Sequence, residues 1–207
     1  MQATRNLGRW GTVTARLYGR LITDIVDVIP IGAAGQSPGN LEDTASVYGL
    51  QWTSSFNFDP LGWRGAKVDM NLQFQKTSLT DPLTGLHRPI NENMTRQINI
   101  SLRHDIPGSQ FAYGGGFFQF RQSAGFRLDQ RFGFLDTPGN LGLYVEHKDV
   151  AGLTVRASMD NLLGTNESFS RTFFDSRRNA TNSNVLFTED RDRFYGPIFT
   201  LTISGTI

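Results

Sequence analysis

The chain has 207 residues, no cysteine, three histidines and a formal charge of +1, which excludes a disulfide scaffold, a thiolate zinc site and any global attraction to nucleic acid. Aromatic residues make up 12% of it, too many for a disordered chain, and no stretch approaches the roughly 18 apolar residues of a membrane helix. Its 22 glycines, 16 phenylalanines, 17 arginines among 20 bases and mean hydropathy of −0.31 favour strands and turns over helices.

Met1 to Asn6 lack the apolar core and small-residue cleavage site of a secretory signal, so an exported protein would carry that signal outside this sequence. Residues 12–28 begin the strand pattern, with Val13, Ala15, Leu17 and Leu21 facing one way before the order loosens around Asp24 and Asp27. Residues 47–58 set Tyr48, Leu50, Trp52, Phe56 and Phe58 against Gln51, Thr53, Ser55 and Asn57. Residues 66–75 are apolar at every even position and polar or charged at every odd one, an unbroken period of two. Residues 93–103 repeat it, with Met94, Ile98, Ile100 and Leu102 on a face broken only by Arg96. Residues 111–121 carry Gly114, Gly115 and Gly116, too little side chain to assign a face. Leu141, Leu143 and Val145 alternate with Gly142, Tyr144 and Glu146, and Leu153, Val155, Ala157 and Met159 with Thr154, Arg156, Ser158 and Asp160. The last run sets Phe199, Leu201 and Ile203 against Thr200, Thr202 and Ser204, and the sequence ends on Ile207. About eight strands are expected.

The connections alternate in length. Short links marked by Pro or Gly lie at residues 59–65, 105–108 and 148–152, and long polar ones at 32–43, 78–92, 122–140 and 175–192. A meander with short turns at one end and long loops at the other is the arrangement of outer-membrane barrels, with turns in the periplasm and loops outside. Alternation also builds soluble antiparallel sheets and lipocalin-like barrels. Two features favour the membrane. The polar face is rich in amides, arginine and carboxylates, and Trp10, Phe56, Phe58, Trp63, Phe111, Tyr113, Phe194 and Tyr195 cluster near strand ends, as an interfacial girdle would.

No nucleophile motif or metal-ligand spacing is present, and His87, His104 and His147 read as structural or solvated. The three consecutive glycines read as a site of close backbone packing. The run Glu189-Asp190-Arg191-Asp192-Arg193 reads as a solvated loop margin rather than a calcium site, because the arginines supply their own counterions. Arg171, Arg177, Arg178, Arg191 and Arg193 gather around the last long connection, where guanidinium forks are able to meet lipopolysaccharide phosphates or an anionic ligand. The neighbouring acids also permit a scatter without purpose. Lys67, Asp69, Arg103, Glu146, Arg156 and Asp160 are the charges placed to pair across a barrel lumen.

Residues 145–157, the element Asp160-Asn161-Leu162-Leu163-Gly164, and residues 195–206 together resemble the C-terminal barrel end of TonB-dependent outer-membrane receptors. Residues 28–32, Tyr48-Gly49-Leu50-Gln51-Trp52 and Asp59-Pro60-Leu61-Gly62 resemble inter-strand segments of the same family, with Gln51 where a carboxylate is usual. The resemblance spans nearly the whole chain. It implies an all-β, antiparallel transmembrane β-barrel meander forming one domain over residues 1–207, the final part of a 22-stranded barrel without its plug. The implied role is non-catalytic uptake of siderophore-like or other nutrient ligands in the outer membrane of a Gram-negative bacterium, with no cofactor. Implied partners are outer-membrane lipid and lipopolysaccharide, the barrel-assembly machinery, and TonB only through a plug not present in this chain. Ile207 stands where the family usually ends on an aromatic residue. An autonomous eight-stranded barrel with a structural role and a soluble lipocalin-like module are the alternatives, and an outer-membrane hydrolase is a remote fourth.

Overall fold

The computed structural model describes residues 1–32, 35–134, 139–181 and 184–205; Ile207 lies outside the described residues. In chain order the strands are β1 (Gln2–Asn6), β2 (Gly11–Ile22), β3 (Val26–Ile31), β4 (Gly35–Asn40), β5 (Ala45–Asn57), β6 (Ala66–Thr80), β7 (His87–Arg88) and β8 (Met94–Asp105). They continue as β9 (Phe111–Gln122), β10 (Gly125–Phe126), β11 (Gln130–Phe134), β12 (Asn140–Val150), β13 (Leu153–Asp160), β14 (Glu167–Phe174), β15 (Val185–Arg193) and β16 (Ile198–Ser204). The main sheet is an antiparallel meander ordered β1-β2-β5-β6-β8-β9-β12-β13-β16, with β7 added beside β6. A second sheet runs β10-β11-β14-β15, and β3 pairs with β4 alone.

Period-two alternation fixes the register, because a slip by one residue would turn every side chain to the wrong face. Polar lanes run across the meander: Gln2, Arg16, Gln51, Gln73 and Gln97 in one, Thr12, Ser55, Asp69, Ser101, Gly116 and Gly142 in another. The opposite face carries lanes such as Val13, Ser54, Met70, Ile100, Phe117 and Leu141. Ser54 is tolerated there because it is buried and its Oγ accepts the Trp52 indole N–H at 3.0 Å. The polar face is thus a continuous wall, as is the apolar one.

The small fully buried apolar core lies at the long-connection end, where Leu41, Ala45 and Leu79 pack with Ile22, Ile25, Ile29 and Ile90. The apolar lanes themselves stay open to solvent: Leu143 is 53% exposed, Phe199 76% and Leu201 67%. The sheet is also open, ending at β1 on one side and β16 on the other with no pairing between them among the described residues.

The expectation of about eight strands and four polar loops undercounts the fold. Eight further strands are described: β4, β7, β10, β11 and β15 in the long connections, β1 ahead of the first expected strand, β3 at the end of the run over residues 12–28, and β14 just before the last long connection. The run Glu189 to Arg193, read from sequence as a loop margin, belongs to β15. Its alternating charges suit a strand because β14 offers partners on both faces, Glu167 to Arg193 on one and Ser168 to Asp192 on the other.

β13 with β14 and β16 with β15 form a single long hairpin bent between its two sheets. Asn161, fully buried at a left-handed φ of 57°, makes the bend. Its Nδ2 donates to the carbonyls of Thr165 (3.2 Å) and Tyr195 (2.6 Å), and its Oδ1 accepts the Thr165 amide at 2.8 Å, so one side chain ties both arms. Asn tolerates this backbone where other residues are strained. Asn161→Ala is expected to destabilise the bend by about 2 kcal/mol through stranded buried carbonyls and the lost backbone preference. Hydrogen exchange at the Thr165 amide is the measurement, and unchanged protection there would contradict this role.

Candidate functional site on the polar face and the loop cap

At the short-turn end of the polar face the charges are paired. Arg103 on β8 donates through Nη2 to Glu146 Oε1 at 2.7 Å and to Asp105 Oδ1 at 3.0 Å, and Lys148 reaches the same Asp105 oxygen at 2.6 Å. Lys67 pairs with Asp69 at 3.1 Å. The structure therefore brings Arg103 to Glu146 and Lys67 to Asp69, as separate pairs rather than one network. Arg156 instead stacks on the Tyr144 ring with its guanidinium carbon 3.5 Å from the centroid. Asp105 and Lys148, which complete the Arg103 group, sit near the short-turn ends of β8 and β12, where charge is ordinarily solvated and carries no pairing signal.

Gly114, Gly116 and Gly142 leave a trough in this face. A Cβ at Gly114 would run into the Leu102 carbonyl and the Tyr144 ring, and one at Gly142 into the Asp160 carboxylate. Their absence lets Tyr144 and Asp160 lie against the sheet, above a depression of about 570 Å³ that Asn99, Arg103, Arg156 and Phe118 help to line. The glycines thus do serve close packing.

The long connections are knotted together by buried charge. Arg88 donates from Nε to Asp81 Oδ2 at 2.5 Å and lies with Nη2 3.2 Å from Asp27 Oδ2. Arg178 donates from Nη2 to the same Asp81 oxygen at 2.9 Å and from Nε to the Arg127 carbonyl at 2.7 Å. Asn91 donates to Asp27 Oδ1 at 2.6 Å and accepts the Phe126 amide at 2.8 Å, while the Phe126 ring receives Arg88, Arg178 and Arg131 at 4.9 to 5.7 Å. Asp27, Asp81, Arg88 and Arg178 are all less than one-tenth exposed. Two carboxylates and two guanidiniums cancel, which is what allows such a group to be buried. Burial alone would push the Asp81 carboxyl up; the Leu83 amide and the Arg88 and Arg178 guanidiniums outweigh it and hold that carboxyl below the usual carboxylate range.

Sequence reasoning missed Asp27, Asp81, Arg88 and Asn91. The available signal was charge next to apolar residues inside supposed loops: Asp27 between Val26 and Val28, and Asp81 and Arg88 between Leu79 and Ile90.

The five arginines grouped from sequence divide. Arg178 is spent inside the knot. Arg177 donates to the Gly32 carbonyl at 2.6 Å, joining the last connection to the first. Arg171, Arg191 and Arg193 share one face of the second sheet with Phe132, Phe134, Phe169, Phe173 and Phe187. There Arg171 lies 5.2 Å and Arg191 5.3 Å from the Phe169 centroid, while Arg191 pairs with Glu189 at 2.9 Å and Arg193 with Glu167 at 3.4 Å.

The histidines are scattered. His87 is exposed on β7, and His147 stands edge-on to Phe111 with ring centroids 4.5 Å apart. His104 is buried in an aromatic row that runs Phe58, Trp63, His104, Tyr113 at 5.0 to 5.7 Å spacing, with Nε2 3.1 Å from the Arg64 carbonyl. Among the described residues, no three His, Asp or Glu side chains are placed to hold a metal ion. Compared with family models, curated proteins and solved structures, the chain matches none of them.

Proposed function

We propose that this chain is the C-terminal part of the barrel wall of a TonB-dependent outer-membrane receptor that takes up siderophore-like or other nutrient ligands, itself without catalytic activity. The observation that carries the reading is the two-faced sheet, apolar and open along one side and polar along the other. In water an apolar surface of that extent is a liability, whereas acyl chains cover it without loss. The apolar positions of β6 from Ala66 to Phe74 span about nine residues, the length with which a tilted strand crosses a bilayer. The row of Phe58, Trp63 and Tyr113 at the short-turn end sits where an interfacial girdle is needed, with short turns in the periplasm and the knotted connections outside.

Lipid offers nothing to the unpaired backbone groups along the outer edges of β1 and β16. Further strands would satisfy them, which favours a longer wall over an autonomous small barrel. In this reading lipid and lipopolysaccharide contact the apolar face, the barrel-assembly machinery inserts the chain, and TonB acts only through a plug carried elsewhere.

Single cysteines placed at residues 67 to 74 of β6 test it in outer-membrane vesicles with a membrane-impermeant maleimide. Odd positions are expected to label and even positions to be protected. Equal labelling, or a detergent-free monodisperse monomer in the soluble fraction, would sink the reading. Paired cysteines scanned along β1 and β16 distinguish its alternative, since only an autonomous closed barrel cross-links them.

A further inference from the structure

Two phenylalanines stand where the polar face should carry amides or hydroxyls. Phe118 continues the lane of Thr14, Thr53, Asn71 and Asn99, and Phe120 the lane of Arg16, Gln51, Gln73 and Gln97. Both are 46% exposed, so neither is there to fill a core. They do not end at the edge of the main sheet. Phe120 opens into a cleft of about 340 Å³ bounded by Phe134, Tyr195 and Glu167, and Phe134 and Glu167 also border the next depression, about 620 Å³, with Phe169 and Arg191. Phe134 meets Phe169 edge to face at 5.5 Å. An aromatic track therefore climbs from the glycine trough, past the Asn161 bend, onto the second sheet.

We infer that this track binds a neutral carbohydrate chain, an inference that rests on the reading of the polar face as a ligand-facing wall. Successive same-face residues of a strand are about 7 Å apart, on the order of one sugar ring, so Phe118 and Phe120 offer consecutive stacking platforms. The charged groups beside the rings are paired, Arg193 with Glu167 and Arg191 with Glu189. Paired guanidiniums and carboxylates retain hydrogen-bond donors and acceptors without net attraction for charge. A ligand with apolar ring faces and hydroxyl edges satisfies both halves of such a surface. A fatty chain would leave the flanking carboxylates and amides desolvated without partners, and an anion would meet Glu167 and Glu189 beside guanidiniums that they already occupy.

Binding of fluorescently labelled maltohexaose and cellohexaose to the full chain in outer-membrane vesicles tests this, with hexagalacturonate and decanoate as competitors. At least one neutral hexaose is expected to bind saturably with a Kd of about 1 mM or tighter. Phe120→Ala and Phe134→Ala should each weaken it by about tenfold, while Phe111→Ala, on the opposite face, leaves it unchanged. Absence of neutral-hexaose binding, preferential displacement by hexagalacturonate or decanoate, or indifference to Phe120→Ala and Phe134→Ala would overturn the inference. Maleimide labelling of β6 in the same vesicles separates the two failures: binding lost with alternation kept overturns the ligand class alone, whereas binding lost with alternation also lost removes the wall as well.

Discussion

Replacing Arg88 by Met is expected to cost the loop cap about 3 to 5 kcal/mol, because it leaves Asp27 and Asp81 buried without their shared cation. The loss should be local. Asp81 Oδ1 accepts the amides of Leu83 at 2.9 Å and Thr84 at 3.1 Å, so faster hydrogen exchange at those two amides reports the opening directly. Arg88→Lys keeps the charge but not the fork that reaches both carboxylates, and should lie between wild type and Met. If Arg88→Met leaves both amides protected, the knot is not what holds the connections together. The pH dependence follows from the Asp81 carboxyl, which is held below its ordinary range. A depressed folded pKa contributes stability that is fully present above the unfolded value of about 3.9 and is lost as pH falls through the folded value. Exchange at Leu83 and Thr84, corrected for its intrinsic rate, should therefore be flat from neutral pH to about 5 and rise only in stronger acid.

The second large effect concerns the two faces. Met70 and Asn71 are sequence neighbours on opposite sides of β6, Met70 in the lane of Ile100 and Phe117, Asn71 in that of Thr53 and Asn99. If acyl chains cover the apolar side, Met70→Arg costs about 2 to 4 kcal/mol, as a guanidinium does near a bilayer midplane, whereas Asn71→Arg costs little. Unfolding midpoints in denaturant from lipid vesicles give the comparison. In a soluble protein with this face in water the order disappears, and Met70→Arg improves solubility instead. Equal costs for the two substitutions would argue against a lipid-facing side.

The meander was legible where side chains alternate without exception, as over residues 66–75, because period two alone sets both face and register there. β14 and β15 were not, because neither alternates in this way. Phe169, Arg171 and Phe173 share a face with Glu189 and Arg191, so that face mixes apolar and charged residues and the hydropathy contrast vanishes. The triple glycine concealed Phe118 and Phe120 in the same way: with no side chain at residues 114–116, the face of β9 follows only from its neighbours' register. The buried knot was beyond reach for a different cause. Each of its charges is unremarkable in its own connection, and only three-dimensional pairing removes all of them from water together.

That pairing also imposes an order in time. The short-turn hairpins β5–β6, β8–β9 and β12–β13 join residues close in sequence and close early, at little cost in loop entropy. Asp81 and Arg178 are separated by 97 positions, and Asn91 and Phe126 by 35. The cap therefore cannot lock until the last long connection has been delivered, whatever the progress of the strands beneath it. Refolding should show the sheet acquiring its backbone protection first and the Leu83 and Thr84 amides last, and a chain cut short before Arg178 loses β15 and β16 together with its roof while the meander from β1 to β13 remains.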